Sequence, residues 1–292
     1  MLIKRSRSKV VFDTCNYIFL FILAAICLFP IIHVLSLSLS SVFAVEAGQV
    51  GLFPIGFNFE AYKFVLSKKQ FITSLLISVE RALLGVSVNM LLTLLVAYPL
   101  SKDVKRFPKR TLYVWIFVIT MIFNGGLIPT FLVINKLGLV DNIWALILPG
   151  AVPVFNIVLM LNFFRGIPED FEDAAFMDGA GHLRILKDIF IPLSLPSIAT
   201  LTLFSAVGHW NAWFDGMIYM NSPERYPLQS YLRTLVIRID FSTASIESLQ
   251  NLVSDRTQRA AQIFVAMIPI LAVYPILQRY FISGMTLGGL KD

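Results

Sequence analysis

The sequence predicts an all-α membrane protein whose spans form a six-helix bundle, and three observations predict it. Hydrophobic residues make up 57% of the chain and charged residues 14%, a balance far from that of an ordinary water-soluble domain. Several apolar runs exceed about 18 residues, the length that carries a helix across hydrocarbon. The runs show no period-two alternation, and backbone groups cannot stay unpaired in lipid, so helices are expected rather than the strands of a barrel.

Taken in order, the spans are expected at about 12–38, 73–99, 111–134, 143–164, 194–218 and 260–282 within a single transmembrane domain, 1–292. The basic head "MLIKRSRSKV" precedes an apolar run longer than a signal-peptide core of about 7–15 residues, which marks the first run as a retained span. An even number of spans puts both termini on one side. Lys4, Arg5, Arg7 and Lys9 in the head, with Lys102, Lys105, Arg106, Lys109 and Arg110 in the connector "SKDVKRFPKR", place that side in the cytoplasm. Residues 165–190 are then cytoplasmic by parity, although Arg165, Arg184 and Lys187 stand against Glu169, Asp170, Glu172, Asp173, Asp178 and Asp188. Acids contribute little to orientation, so these are expected to face a partner surface instead.

Several function classes fall away. The net charge of +6 is a topology effect of basic loops at an anionic leaflet, and nucleic acid is not an expected partner. Cys15 and Cys27, both in the first run, read as small packing residues. His33, His182 and His209 lie apart, and no HExxH, GxSxG or paired-carboxylate pattern sits in a span, so no catalytic residues are assigned. No GxxxxGK[ST] loop occurs, and nucleotide energy has to come through a partner. No inverted pair of half-sequences stands out, which weighs against a stand-alone secondary transporter, though a channel or carrier working alone remains an alternative.

The segment "FEDAAFMDGAGHLRILKDIFIPLSLPS" (171–197) carries the most specific signal. Pro168 and the acids after it suit the first turn of a short helix, Pro168 to Asp178. Gly179 and Gly181 break that helix, and a second begins at "HLRILKDIFI" and ends near Pro192. Ala174 and Ala175 allow close approach, while Phe171, Phe176, Met177, Leu183 and Leu186 offer apolar knobs for a groove. The residues alone leave two readings open: a docking element for another protein, or an amphipathic helix resting on lipid headgroups.

The run "EDAAFMDGA" followed by "IPLSLP" resembles the cytoplasmic coupling motif of membrane subunits of bacterial ABC importers. Asp173 stands where the motif has glutamate; Ala174, Ala175, Asp178, Gly179 and Ala180 match; Ile189, Ile191 and Pro192 take the place of isoleucine-x-leucine-proline. "GLFPIGFNFEAYKFVL", "AYPLSK", "NGGLIPTFLVINKLGLVDNIWALILPG", "GHWNAWFDGMIYM" and "QRYFISGMTLGGLKD" extend the likeness along the chain. They are similar to the maltose-type carbohydrate importers, in particular the shorter permease of the branch taking up alginate and aldouronate oligosaccharides. The resemblance implies a six-transmembrane-helix permease with a coupling helix in the loop 165–192, set in the bacterial cytoplasmic (inner) membrane. It also implies ATPase contact through Glu172, Asp173, Ala174, Ala175, Met177, Asp178, Gly179, Ala180 and Pro192. The partners it implies are a second, non-identical permease, two copies of an ATPase that holds ATP and Mg, and an extracytoplasmic sugar-binding protein. No cofactor is expected on this chain itself.

A sugar pathway needs aromatic faces and amide or hydroxyl groups, and the fifth run offers His209, Trp210, Asn211 and Trp213; bundle packing and an interface belt explain the same residues. In "FNGGLIPT", Asn124, Gly125, Gly126 and Pro129 are expected to loosen the third span, as a moving part or a close helix crossing. Arg81 faces away from its neighbour Glu80 and either attracts an anionic sugar or pairs with another helix. The segment 219–259 is expected outside, toward the binding protein or as a lid. The resemblance implies that the tail from Gly284 inserts between the ATPase subunits; a disordered end is the other reading.

Overall fold

The computed structural model describes residues 7–237 and 255–288, and among them all regular structure is helical. The chain forms two compact units, Met1–Lys69 with Ile237–Ile268 and Gln70–Val236 with Pro269–Asp292. The first unit opens with α1, Arg7–Ser38, whose most apolar stretch buries nothing against the rest of the chain. At its end Ser36, Ser38 and Ser40 turn inward. Ser38 Oγ meets Tyr62 Oη at 2.7 Å and Ser40 Oγ accepts from Ile55 N at 3.0 Å. These bonds fasten the loop that carries α2 (Val42–Glu46) and α3 (Glu60–Ser67).

The second unit is organised on α4, Lys69–Ser101. Its buried side carries Ser74, Ser78, Arg81, Gly85, Asn89, Thr93 and Ala97, one residue every three or four positions, which is one face of a helix. A long apolar helix thus presents an inward polar stripe. The third expected span does not form one rod: α5 (Arg110–Ile122) and α6 (Leu127–Lys136) meet at 111°. Gly126 sits at φ 89°, a conformation glycine adopts freely, and Asn124 Oδ1 accepts its N–H at 2.9 Å. The expected loosening is therefore a complete break.

Further on, α7 (Trp144–Ile147) with the turn Leu148–Gly150 leads into α8 (Val154–Arg165) with a bend of 49°. Helix α9 (Asp170–Met177) is followed by α10 (His182–Ile185), a π-helical stretch Leu186–Phe190 and α11 (Ile191–Leu193). The chain turns by 86° into α12 (Leu195–Asn211), then α13 (Phe214–Tyr219) and α14 (Leu228–Ile237). The sixth expected span falls on α15 (Asp255–Gly288). Two helices, Ser8–Ser38 and Lys69–Ser101, are long and apolar enough to cross a bilayer, and counting each of the three bent pairs as one span brings the number to five among the described residues. The expected 219–259 loop lies in part, at 238–254, outside the described residues, as do the last four positions of the tail.

The core of this unit gathers Tyr98 and Leu100 of α4, Ile157, Met160 and Phe164 of α8, Ile185, Leu186 and Phe190 after α9, and Leu201 of α12. One close approach decides the α4–α12 contact. A Cβ on Gly85 would lie 2.4 Å from His209 Nε2, whereas one on Gly208 meets nothing within 4 Å. Gly85→Ala is expected to destabilise the fold by about 1–3 kcal/mol through overpacking, and Gly208→Ala to be neutral or stabilising by up to about 1 kcal/mol through helix propensity. Unfolding of the detergent-solubilised variants compares the two.

Candidate functional site

Helix α9 is built inside out. Its fully buried side chain is an acid, Glu172, at 3% exposure, while Phe171, Phe176 and Met177 are 50%, 37% and 88% exposed. Its first turn holds Asp170, Glu172 and Asp173 near the positive end of the helix dipole. The helix stops where Gly179 takes φ 78°. Gly179 N donates to Phe176 O at 3.0 Å and Ala180 N to Ala175 O at 2.9 Å, the paired closing bonds of a helix ended by a left-handed glycine. A side chain with a Cβ is strained at that position.

Glu172 is held by the C-terminal end of α4 and the connector after it. Tyr98 Oη donates to Oε1 at 3.0 Å, while Lys102 Nζ at 2.8 Å and Arg106 Nη1 at 3.2 Å donate to Oε2. The Lys102 ammonium also lies 3.9 Å from the Tyr98 ring centre and 4.1 Å from that of Phe190, a box of two aromatic faces and a carboxylate. Burial pushes the Lys102 pKa down, and Glu172 opposes that shift. Arg106 bridges outward to Asp173 Oδ1 at 2.6 Å and Glu169 Oε2 at 3.5 Å, and its bond to Asp173 raises its pKa. His182 Nδ1 stands 3.3 Å from Tyr98 Oη.

This arrangement corrects one expectation. The acids of 165–190 were expected to face another protein; Glu172 is instead neutralised within its own chain, while Asp173 and Glu169, both more than half exposed, reach the same Arg106. Glu172 and the basic connector therefore form an internal cluster, while α9 exposes Phe171, Phe176 and Met177 alongside Asp170 and Asp173. Lys102 and Arg106 were legible only as topology signals, and Tyr98 not at all. Ala174 is exposed, Ala175 and Ala180 pack against the core, and Asp178 caps the helix. Pro192 lies in α11, above the 86° turn.

A second site lies along the α4 stripe. Arg81 is buried and makes a two-pronged ion pair with Asp215: Nη1 to Oδ1 at 3.1 Å, and Nη2 to Oδ2. Arg81 thus pairs with a residue other than Glu80, as its position on the helix demands. Its Nε–H has no acceptor among the described residues. Two turns further, Asn89 donates to Gly150 O at 2.8 Å and Ala151 O at 3.0 Å. That orientation leaves its Oδ1 to accept from His209 Nε2 at 2.8 Å. Asn156 donates to Ser205 Oγ at 3.2 Å. These three pairs line one cavity of about 420 Å³.

The other expected pathway residues stand elsewhere. Trp210 is buried beside a small apolar cavity with Val79, Leu203 and Pro269. Asn211 is exposed, Trp213 is stacked under Arg233 at 5.1 Å, and Asn124 is exposed at the break of the third span. Asn89, Asn156, Ser205 and Asp215 were not singled out from sequence. Their signal was a polar residue at helical spacing inside an apolar run, visible as Ser74, Ser78, Arg81, Gly85, Asn89 and Thr93.

Apolar helices around a cavity with paired polar groups fit a membrane transport protein, and residues 89–287 match the model of the family described as binding-protein-dependent transport system inner membrane component. The chain belongs to that family; it is a transport subunit and not an enzyme. It is 40% identical over 285 residues, 96% of this chain and 98% of the relative, to the polygalacturonan/rhamnogalacturonan transport system permease protein YtcP of Bacillus subtilis (strain 168). It is 38% identical to Protein LplC of the same organism, over 96% of this chain and 95% of that one. Among solved structures it is similar to a chain of a bacterial ABC transporter involved in the import of the acidic polysaccharide alginate, with a TM-score of 0.85, 38% identity, and coverage of 95% and 99%.

Removing Glu172 leaves Lys102 buried without its anion, and breaking a buried pair in this way costs about 3–5 kcal/mol. Tyr98→Phe removes one neutral donor to the carboxylate and is expected to cost about 1–2 kcal/mol. Chemical unfolding of Glu172→Gln, Tyr98→Phe and their combination measures both losses, and the double variant is expected to lose less than the sum because the two side chains share one bond.

Proposed function

We propose that the chain is one of two non-identical permeases of an ATP-driven oligosaccharide importer, each forming half of the translocation pathway. Six spans with both termini in the cytoplasm, α9 as the coupling helix and the loop 165–192 as its mount follow from that reading. Two ATPase subunits hold ATP and Mg and receive α9 through Met177, Phe176, Ala174 and the Asp178–Gly179–Ala180 turn. The inside-out build of α9 carries this reading: a water-exposed helix that buries its glutamate and displays Phe171, Phe176 and Met177 has an apolar face in need of a protein groove. Pairing of Glu172 within the chain takes that acid off the partner surface.

The family's description names a binding protein, and an extracytoplasmic solute-binding partner fits it. The relatives that handle polygalacturonan, rhamnogalacturonan and alginate support a saccharide cargo, and an acidic one. A neutral oligosaccharide is the second reading, and the balanced Arg81–Asp215 pair favours it within this subunit.

Met177→Asp places a charge on the most exposed knob without touching the core. Expected is a loss of ATPase co-purification and of ATP-dependent oligosaccharide uptake by about tenfold or more, with unfolding unchanged, because burying an unpaired carboxylate at an interface costs several kcal/mol. Retention of both the ATPase and uptake in this variant contradicts the docking role of α9.

A further inference from the structure

The cavity beside α4, α8, α12 and α13 holds most of its polar groups already matched, Arg81 Nε–H excepted, and that limits what it can accept. Arg81, with its side chain 3% exposed, commits both terminal nitrogens to Asp215, whose side chain remains 26% exposed. Asp215 Oδ1 also accepts Gly216 N at 2.8 Å. An entering carboxylate therefore finds no unpaired cation among the described lining residues and meets the carboxylate of Asp215, a like charge that repels it. A neutral hydroxyl meets no such opposition. It can donate to a lone pair left on Asp215 and bond the Asn156–Ser205 pair, since an amide and a hydroxyl each keep further donors and acceptors after one mutual bond. Phe204 and Tyr219 stand in the same lining and supply aromatic surface for an apolar sugar face. The volume of about 420 Å³ lies within the range of about 300–1,000 Å³ typical of small-ligand sites.

We infer that this cavity is a glycosyl-hydroxyl site: it binds the uncharged face of one sugar unit and does not separate an acidic unit from its neutral counterpart. The inference rests on the reading of the chain as a saccharide permease and assigns carboxylate discrimination to another component of the transporter. Arg81 serves to neutralise Asp215 and to orient it, and it is not a receptor for the substrate's charge.

Equilibrium binding of labelled trigalacturonate and of its carboxyl-reduced trigalactoside to the full-length protein, with its co-purifying subunits in lipid nanodiscs and without binding protein, tests this. The two probes are expected to bind with Kd values within about threefold of each other, and Asn156→Ala to weaken both by a similar factor of about five or more. Asp215→Asn frees the Arg81 charge and is expected to shift the ratio toward trigalacturonate by about tenfold, while the doubly neutral Arg81→Gln/Asp215→Asn returns the ratio to that of the native protein. A native preference for trigalacturonate of about tenfold or more overturns the inference. So does absence of binding of either probe, or binding of both that Asn156→Ala leaves unchanged. The permease reading fails separately, by lack of ATP-dependent uptake of either saccharide in the assembled transporter.

Discussion

A buried carboxylate governs how α9 is held against the C-terminal end of α4. Glu172 sits at 3% exposure between Lys102 and Arg106 with the Tyr98 hydroxyl on its other oxygen. Two cations and a phenol around one carboxylate satisfy its lone pairs and offset a desolvation cost of several kcal/mol per ion. The geometry admits no partial version: with Glu172 absent, Lys102 is an ammonium between two aromatic rings with no anion. Because Glu172 belongs to α9 and Tyr98 to α4, the cluster ties a surface helix to the longest straight helix of its unit. The outward display of Phe171 and Met177 depends on that tie.

Helix α4 then connects the two sites. From Tyr98 back to Arg81 it is uninterrupted, a distance of about 25 Å at 1.5 Å per residue. A displacement of α9 carried by Glu172 reaches the Arg81–Asp215 pair through a single rigid element rather than through a chain of loops. At the far end Asp215 lies in the first turn of the short helix α13, so the pair joins α4 to the segment after α12. Just past the end of α13, Asp141, at φ 63°, accepts from the backbone N–H groups of Asn221 and Ser222 at 3.2 Å each and from Ser222 Oγ at 2.9 Å. Burial opposes ionisation there, but the Ser222 bonds and the Arg225 charge hold its pKa below the ordinary range.

Much of the fold was legible because hydrophobic length and breaker residues act locally. The ends of α1 and α4 lie within a few residues of the expected bounds, and the Gly179 turn falls where glycine spacing put it. The angles at Gly126 and Ser194 were not legible, since a glycine or proline marks where a helix can bend and packing decides how far. The sites divide the same way. Residues 172–180 announced themselves through composition and resemblance, but the direction Glu172 faces depends on Lys102 and Arg106, some seventy positions away. Arg81 stood out as a charge in an apolar run, whereas Asp215, its partner 134 positions on, did not. Long-range pairing is a property of the folded backbone and leaves no mark on either segment alone.

The central claim is that Glu172 makes α9 and α4 move as one body. Interspin distances between labels at Asp170 on α9 and Leu95 on the exposed side of α4, both surface positions, measure it directly in the assembled transporter with Cys15 and Cys27 replaced. The account predicts one distance distribution, unchanged between nucleotide-free and ATP-bound states, that broadens and shifts with nucleotide once Glu172→Gln is introduced. A nucleotide-dependent change of the same size in the protein that retains Glu172 contradicts it.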